Sequence, residues 1–232
     1  MKVPGLSIWL RNCLRNLPQV CVLCGAPALN QAVCGDCDRD LPRLGQEVCP
    51  ICADLAPAGA MCGACLRSQP NFDASFAAMR YQFPADTLIH ALKYQHRLSL
   101  VDWCANEMLR QPPPTGDMLI PLPLSPARLR ERGFNQALEI ARLLAKKQGL
   151  SLAPDAVLRV RHTSPQANLP WKQRRSNIRG AFACQRDVSG KTVIVVDDVM
   201  TTGATLNECA RILKEAGAQR VINWVLARTI KN

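Results

Sequence analysis

No stretch of the 232 residues approaches the roughly 20 uncharged apolar positions that a bilayer span requires. The one candidate near the start, Gly5 to Leu10, is cut short by Arg11 and Arg15, and no small-residue cleavage site follows it. A signal peptide is therefore not expected, and the expected location is cytoplasmic. Histidine is scarce: His90, His96 and His162 stand alone, and no Ser-His or Cys-His constellation for nucleophilic catalysis is visible. A P-loop is missing too. Ser189-Gly190-Lys191-Thr192 imitates its end, but Gln185 stands where the motif needs glycine, and the segment leads into a strand instead of following one. With 48% apolar and 20% charged residues, wholesale disorder is excluded.

Acidic residues are thin in one region in particular. The net charge is +11, and residues 119–192 hold fourteen Lys and Arg against four Asp and Glu. Nearly the whole excess lies in that third of the chain. A concentrated excess predicts a surface that meets phosphate, on a small molecule or on a nucleic acid.

Cysteine, by contrast, is abundant, with twelve. In a reducing compartment such a number points to metal ligands before disulfides, although a disulfide-linked or redox module is the alternative. Eight fall in two sets, Cys21, Cys24, Cys34, Cys37 and Cys49, Cys52, Cys62, Cys65, the second being the first shifted by 28 residues. That is an internal duplication. A Cys-x2-Cys turn points two thiolates at one ion, and two turns complete a zinc tetrahedron with no open position, so the zinc expected here is structural. Repeat-wise ligation is the simplest arrangement; cross-braced pairing is compatible with the same spacing. The segment has little else to build a core from, so metal binding and folding are expected to be coupled. Cys13, Cys104, Cys184 and Cys209 lack partners at ligand spacing and read as small core residues.

Periodicity organises the rest. Residues 1–20 carry Leu6, Leu10, Cys13, Leu14 and Leu17 at helical spacing, and the zinc module is expected to end near Ser68-Gln69-Pro70. We thus expect a module over 1–68 and a second domain over 69–232. In the latter, helices are expected at 85–94, 98–110, 134–147 and 204–216, and strands at 118–122, 192–196 and 220–226. Apolar strands separated by helices imply an α/β domain: a parallel sheet with helices on both faces. Between Arg161 and Arg179 periodicity disappears, which reads as a long functional loop.

The most informative segment runs Thr192-Val193-Ile194-Val195-Val196-Asp197-Asp198-Val199-Met200-Thr201-Thr202-Gly203-Ala204-Thr205. An apolar strand ends in two carboxylates, and a short hydroxyl-and-glycine loop then opens a helix. The loop amides, the Thr hydroxyls and the positive helix end suit a phosphate. Adjacent carboxylates would repel that phosphate unless a sugar lies between, its hydroxyls on the acids and its phosphate in the loop. The bland alternative is that Thr201 or Thr202 merely caps the helix.

This segment resembles the 5-phosphoribosyl-1-pyrophosphate signature of type I phosphoribosyltransferases. The stretch Arg128-Leu129-Arg130-Glu131-Arg132-Gly133-Phe134-Asn135-Gln136, the run Thr163-x2-Gln166-x2-Leu169 with Arg174, Asn177 and Gly180-Ala181-Phe182, and the cysteine duplication are similar to the competence protein F (ComF) family over essentially the whole chain. The resemblance implies a type I phosphoribosyltransferase-like sheet behind a double zinc ribbon. It implies that Asp197 and Asp198 hold the ribose hydroxyls, and that Val199, Thr201, Thr202, Gly203, Ala204 and Thr205 surround the 5-phosphate. Residues 122–125 would form the pyrophosphate loop, with Arg128, Arg132 and Arg174 meeting pyrophosphate or DNA, and 161–179 would be a lid. Mg2+ would come largely on the ligand's own oxygens. The implied role is in the uptake or use of extracellular DNA, with single-stranded DNA and DNA-processing proteins as partners. The alternative is an active phosphoribosyltransferase in nucleotide salvage, its acceptor unknown.

Overall fold

The computed structural model describes residues 20–28, 31–160 and 178–230. The expected N-terminal helix, Cys13, Arg174 and most of the 161–179 loop lie outside the described residues. The chain divides into two compact units, Met1–Leu41 and Pro42–Asn232.

In the first unit Val20 and Pro27 bridge antiparallel, Cys21 N donates to Ala26 O, and Gly25 closes the knuckle with φ 74°. Helix α1 (Gly35–Arg39) carries Cys37. Shifted by 28 residues, the second unit repeats this construction. Val48 bridges Leu55, Cys49 N donates to Asp54 O, Ala53 adopts φ 53° in place of the glycine, and α2 (Gly63–Arg67) carries Cys65. The duplication read from the spacing is thus a duplication of backbone conformation.

The second unit is built on a five-stranded sheet of order β1-β7-β6-β2-β3, every neighbouring pair parallel. Its strands are β1 (Ala74–Arg80), β2 (Met118–Pro121), β3 (Ser151–Leu152), β6 (Thr192–Met200) and β7 (Arg220–Arg228); β4 (Val157–Arg159) and β5 (Phe182–Cys184) form a separate antiparallel pair. Among the described residues its helices are α3 (Ala85–Tyr94), α4 (Ser99–Met108), α5 (Pro126–Arg132), α6 (Gln136–Gln148) and α7 (Ala204–Glu215). Among the described residues no helix is long and apolar enough to cross a membrane.

Alternation along β6 sorts the two faces of the sheet. Val193 and Val195 pack with Leu206, Cys209 and Leu213 of α7, with Val157 and Phe182, and with Leu44, Cys49, Cys52, Ala53 and Cys65 of the second cysteine knuckle. The even positions, ending at Asp198, face the opposite side, where Lys93 of α3 reaches Asp198. The second knuckle is tied to the sheet by backbone as well: Arg80 N donates to Pro42 O, Leu44 N to Ala78 O and Ser75 N to Pro50 O.

Three expectations need correction. The central strand does not stop at 196 but runs through both carboxylates to Met200, because its partner β7 is equally long and pairs Asp197 with Val225 and Val199 with Ala227. The helix expected over 134–147 begins at Gln136, since the Asn135 side chain accepts from Ala137 N and caps it. Arg128, Arg130 and Arg132, outside every expected helix, form their own helix α5, with Pro126 in the first turn, Ser125 as cap and Gly133 at φ 72° as stop. Cys104 and Cys209 are fully buried; Cys184 is half-buried and its thiol donates to Arg186 O.

Candidate functional site

At the carboxyl edge of β6 and β2 lies a cavity of about 490 Å3. Its walls are the turn Leu122–Ser125, Arg128 of α5, the strand end Asp197–Thr201, and Gly203, Ala204 and Thr205 opening α7. This is where open parallel sheets bind ligands, beyond the carboxyl ends of their strands. The turn after β2 is held by the Asn135 side chain, whose Nδ2 donates to Leu122 O.

The loop depends on Gly203. Its φ of 75° is left-handed, and a Cβ there would lie 2.8 Å from Met200 Cε. Thr202 does not line the cavity. Its Oγ1 accepts from Ala204 N, although the N-cap position itself is Gly203, and its other side borders a smaller cavity of about 160 Å3 against Cys52, Cys65 and Phe72. Val199, Thr201, Gly203, Ala204 and Thr205 do line the main cavity.

The two carboxylates differ in environment. Asp198 is 7% exposed, and its Oδ2 lies 2.9 Å from Lys93 Nζ. Asp197 is half-buried and accepts from Asp198 N at 2.9 Å. Removal of its carboxyl from water, then the neighbouring charge of Asp198, push its pKa up to about 7 against the pull of Lys93 and Arg128. Near neutral pH the pair therefore carries less than its formal −2, and Asp197 can donate or accept a hydrogen bond.

The arginines expected to act together are separated. Arg128 lines the cavity and Arg130 is exposed, whereas Arg132 is 5% exposed, donating from Nη1 to Gln136 Oε1 and from Nη2 to the Tyr94 hydroxyl. That burial withholds Arg132 from a surface polyanion, although it borders the cavity. The concentrated basic segment is not one free face. Arg142, Arg186 and Lys147 pair with Glu139, Asp155 and Asp102. Lys93, Tyr81, Tyr94 and Arg159, which the sequence did not single out, line the cavity together with Gln136. Arg159 lies over the Phe182 ring, its centroid 5.7 Å away, and desolvation followed by Arg128 lowers its pKa.

Each cysteine set gathers its four sulfurs within 4.8 Å, Cys21, Cys24, Cys34, Cys37 in one and Cys49, Cys52, Cys62, Cys65 in the other, so the grouping suits repeat-wise and not cross-braced ligation. The Cys24–Cys34 and Cys52–Cys62 sulfur distances are 3.7 and 3.6 Å. A tetrahedron with Zn–S of about 2.3 Å has edges of about 3.8 Å, so the sets fit zinc. Burial raises the Cys49 thiol, but amides of Cys62, Cys52 and Ile51 aimed at it outweigh burial and bring it down to about 7, whereas burial pushes its neighbour Cys52 up to about 11. Magnesium is another matter. Among the described residues only these two sets gather three or more metal-ligating groups, and Asp198 is already engaged by Lys93. Among the described residues no carboxylate cluster offers Mg2+ a cage.

Arg228 of β7, 2% exposed, joins the second knuckle to the start of the Thr201–Thr205 loop. Its Nε donates to Cys52 O at 2.8 Å, its Nη1 to Met200 O, Thr201 O and Thr229 O, and its Nη2 lies 3.6 Å from Asp54. No periodicity in the sequence signals this role.

A parallel sheet whose central strand delivers two carboxylates to a threonine-glycine loop defines a phosphoribosyltransferase-type domain, here carrying paired four-cysteine knuckles. The phosphoribosyl transferase domain model matches residues 132–231, and the double zinc ribbon domain model matches residues 15–66. The chain is similar to the DNA utilization protein YhgH of Salmonella typhi, 33% identical over 65% of this chain and 70% of that one. It is likewise similar to competence protein F of Haemophilus influenzae, at 31% over 69% and 75%. Competence protein ComFC of Bacillus subtilis is 27% identical over 90% of this chain and 78% of its own. The chain belongs to the competence protein F family.

Proposed function

We propose that this protein serves the use or uptake of extracellular DNA, and that its cavity binds a phosphoribosyl pyrophosphate-type ligand. The observation that carries the proposal is the cavity itself, where Asp197 and Asp198 face the loop Thr201–Thr205 across a volume suited to a phosphosugar. In this reading the 5-phosphate lies on the Gly203 amide turn and the first turn of α7, where the helix dipole favours an anion. The ribose hydroxyls meet Asp197 and Asp198, and a pyrophosphate extends toward Leu122–Ser125 and Arg128. Single-stranded DNA would meet arginines of the basic segment, the half-buried Arg128 on the cavity wall and the exposed Arg130, together with Arg174.

The relatives named for DNA utilization and competence supply the biological setting. Its test is genetic. Asp197→Asn with Asp198→Asn should abolish growth on DNA as a nutrient, or transformation, while leaving the protein folded. Unimpaired DNA use by that variant would separate the cavity from the function. For the DNA contact, Arg128→Ala with Arg174→Ala should weaken retention of single strands and flatten its salt dependence, because fewer phosphates are met. Retention equal to the parent at every salt concentration would overturn it.

A further inference from the structure

Lys93 is a cation delivered by α3 to a strand end that otherwise holds two acids. Its Nζ lies 2.9 Å from Asp198 Oδ2, with the two side chains 15% and 10% exposed. An ion pair so enclosed is less screened than a surface pair and fixes its partners in place.

The end of α3 is itself anchored. Tyr94, the next residue, accepts from Arg132 Nη2 at 3.1 Å, and the Arg132 guanidinium sits 5.0 Å from the Tyr94 ring centroid. Arg132 is held in turn by Gln136 of α6. Lys93 is thus set by a chain of contacts through α5 and α6 and is not a side chain swinging in solvent.

The charge balance of the cavity follows. Lys93 cancels Asp198, Asp197 is half-buried beside it and holds its proton up to about pH 7, and on the wall Arg128, Arg132 and Arg159 outnumber Glu131. A dianionic phosphate monoester entering this cavity meets net positive charge with no divalent cation present. Among the described residues no carboxylate cluster offers such a cation a place.

We propose that Lys93 is a positioning and specificity residue that takes the part of a divalent cation beside Asp198, so that a sugar phosphate monoester binds without Mg2+. The inference rests on the phosphosugar reading of the cavity and deepens it. By holding Asp198 in one rotamer, Lys93 orients the carboxylate oxygen that accepts from a ribose hydroxyl, and it removes the repulsion between that carboxylate and the incoming phosphate.

The probe is ribose 5-phosphate, titrated calorimetrically into zinc-loaded protein in buffer freed of other divalent ions and again with millimolar Mg2+. The wild type is expected to bind with nearly the same affinity in both. Lys93→Met is expected to lose about tenfold or more without Mg2+ and to recover when Mg2+ is added, while Lys93→Arg keeps metal-free binding. Zinc content and thermal unfolding establish that the variants fold; the wild-type comparison stands without any variant. Wild-type binding that requires Mg2+, or metal-free binding by a folded Lys93→Met equal to the wild type, overturns the role of Lys93 alone. Failure of the wild type to bind under either condition overturns the phosphosugar reading and this inference with it.

Discussion

Replacing Arg228 with methionine is expected to be among the most damaging single changes in the second unit. The guanidinium donates to Cys52 O, Met200 O, Thr201 O and Thr229 O and faces Asp54, itself 8% exposed. Truncation leaves a buried carboxylate without this counter-ion, which costs about 3–5 kcal/mol. Each orphaned carbonyl adds about 1–3 kcal/mol where water cannot replace the donor. These contributions overlap, and roughly 4 kcal/mol is a reasonable total, a large share of the 5–15 kcal/mol that holds an ordinary domain together. At about 2–4 °C per kcal/mol for a unit of this size, Tm should fall by roughly 8–16 °C. Arg228→Lys retains charge but not the planar fork, and should recover less than half of the loss. Urea denaturation at saturating zinc, followed by circular dichroism, measures both. A loss under about 1 kcal/mol, or full rescue by lysine, would refute the view that this side chain joins knuckle, sheet and the Thr201–Thr205 loop.

The remaining predictions concern metal, loop and pH. Two zinc ions per chain are expected by elemental analysis, and a competing chelator should remove the one on Cys21, Cys24, Cys34 and Cys37 first, since Cys24 is exposed whereas Cys49, Cys52 and Cys65 are buried; single-phase release would contradict this. Cys52→Ser should lower the cooperative unfolding temperature of the sheet, and Cys21→Ser should leave it nearly unchanged, because only the second set belongs to the core cluster of the sheet. Gly203→Ala combines φ 75° with a Cβ 2.8 Å from Met200 Cε, so it should weaken phosphosugar binding by tenfold or more while costing only about 1–2 kcal/mol of stability; unchanged affinity in calorimetry would count against the loop as phosphate site. Asp197 has a folded pKa raised from 3.8 to about 7, so the folded state holds a proton that the unfolded state has released between those values. Its stabilising contribution is complete below about pH 4 and is lost as pH rises to 7, a few kcal/mol at most. Asp197→Asn should flatten that part of the stability profile, and an unchanged slope would show that Asp197 is not the group responsible.

How much of this was legible in the sequence depends on the range of the interaction. The 28-residue duplication, the strand-loop-helix at 192–216 and the parallel α/β class are all local patterns, and each is found where spacing put it. The cavity residues on that segment were readable for the same reason. Lys93, Arg159 and Arg228 were not, because each acts through a partner far along the chain: Asp198, Phe182 across the β4–β5 pair, and Cys52 and Asp54. Arg132 shows the converse error. In a run of three arginines it looks like its neighbours, but the two residues, about half a helical turn, from Arg130 to Arg132 send it inward to Tyr94 while Arg130 stays in solvent. β1 was missed because its pattern of buried and half-buried small residues, Ala-Ser-Phe-Ala-Ala-Met-Arg, has neither strict alternation nor β-branched weight; its strand character comes from pairing with β7.

The central claim is that the strand-end carboxylates and the threonine-glycine loop bind a phosphosugar. It is tested most directly by calorimetric titration of 5-phosphoribosyl-1-pyrophosphate with Mg2+ into the zinc-loaded protein, with Asp198→Asn as control. The account predicts saturable one-to-one binding that is lost or weakened at least tenfold in the folded variant. Absence of binding in the wild type, or equal binding by Asp198→Asn, would contradict it.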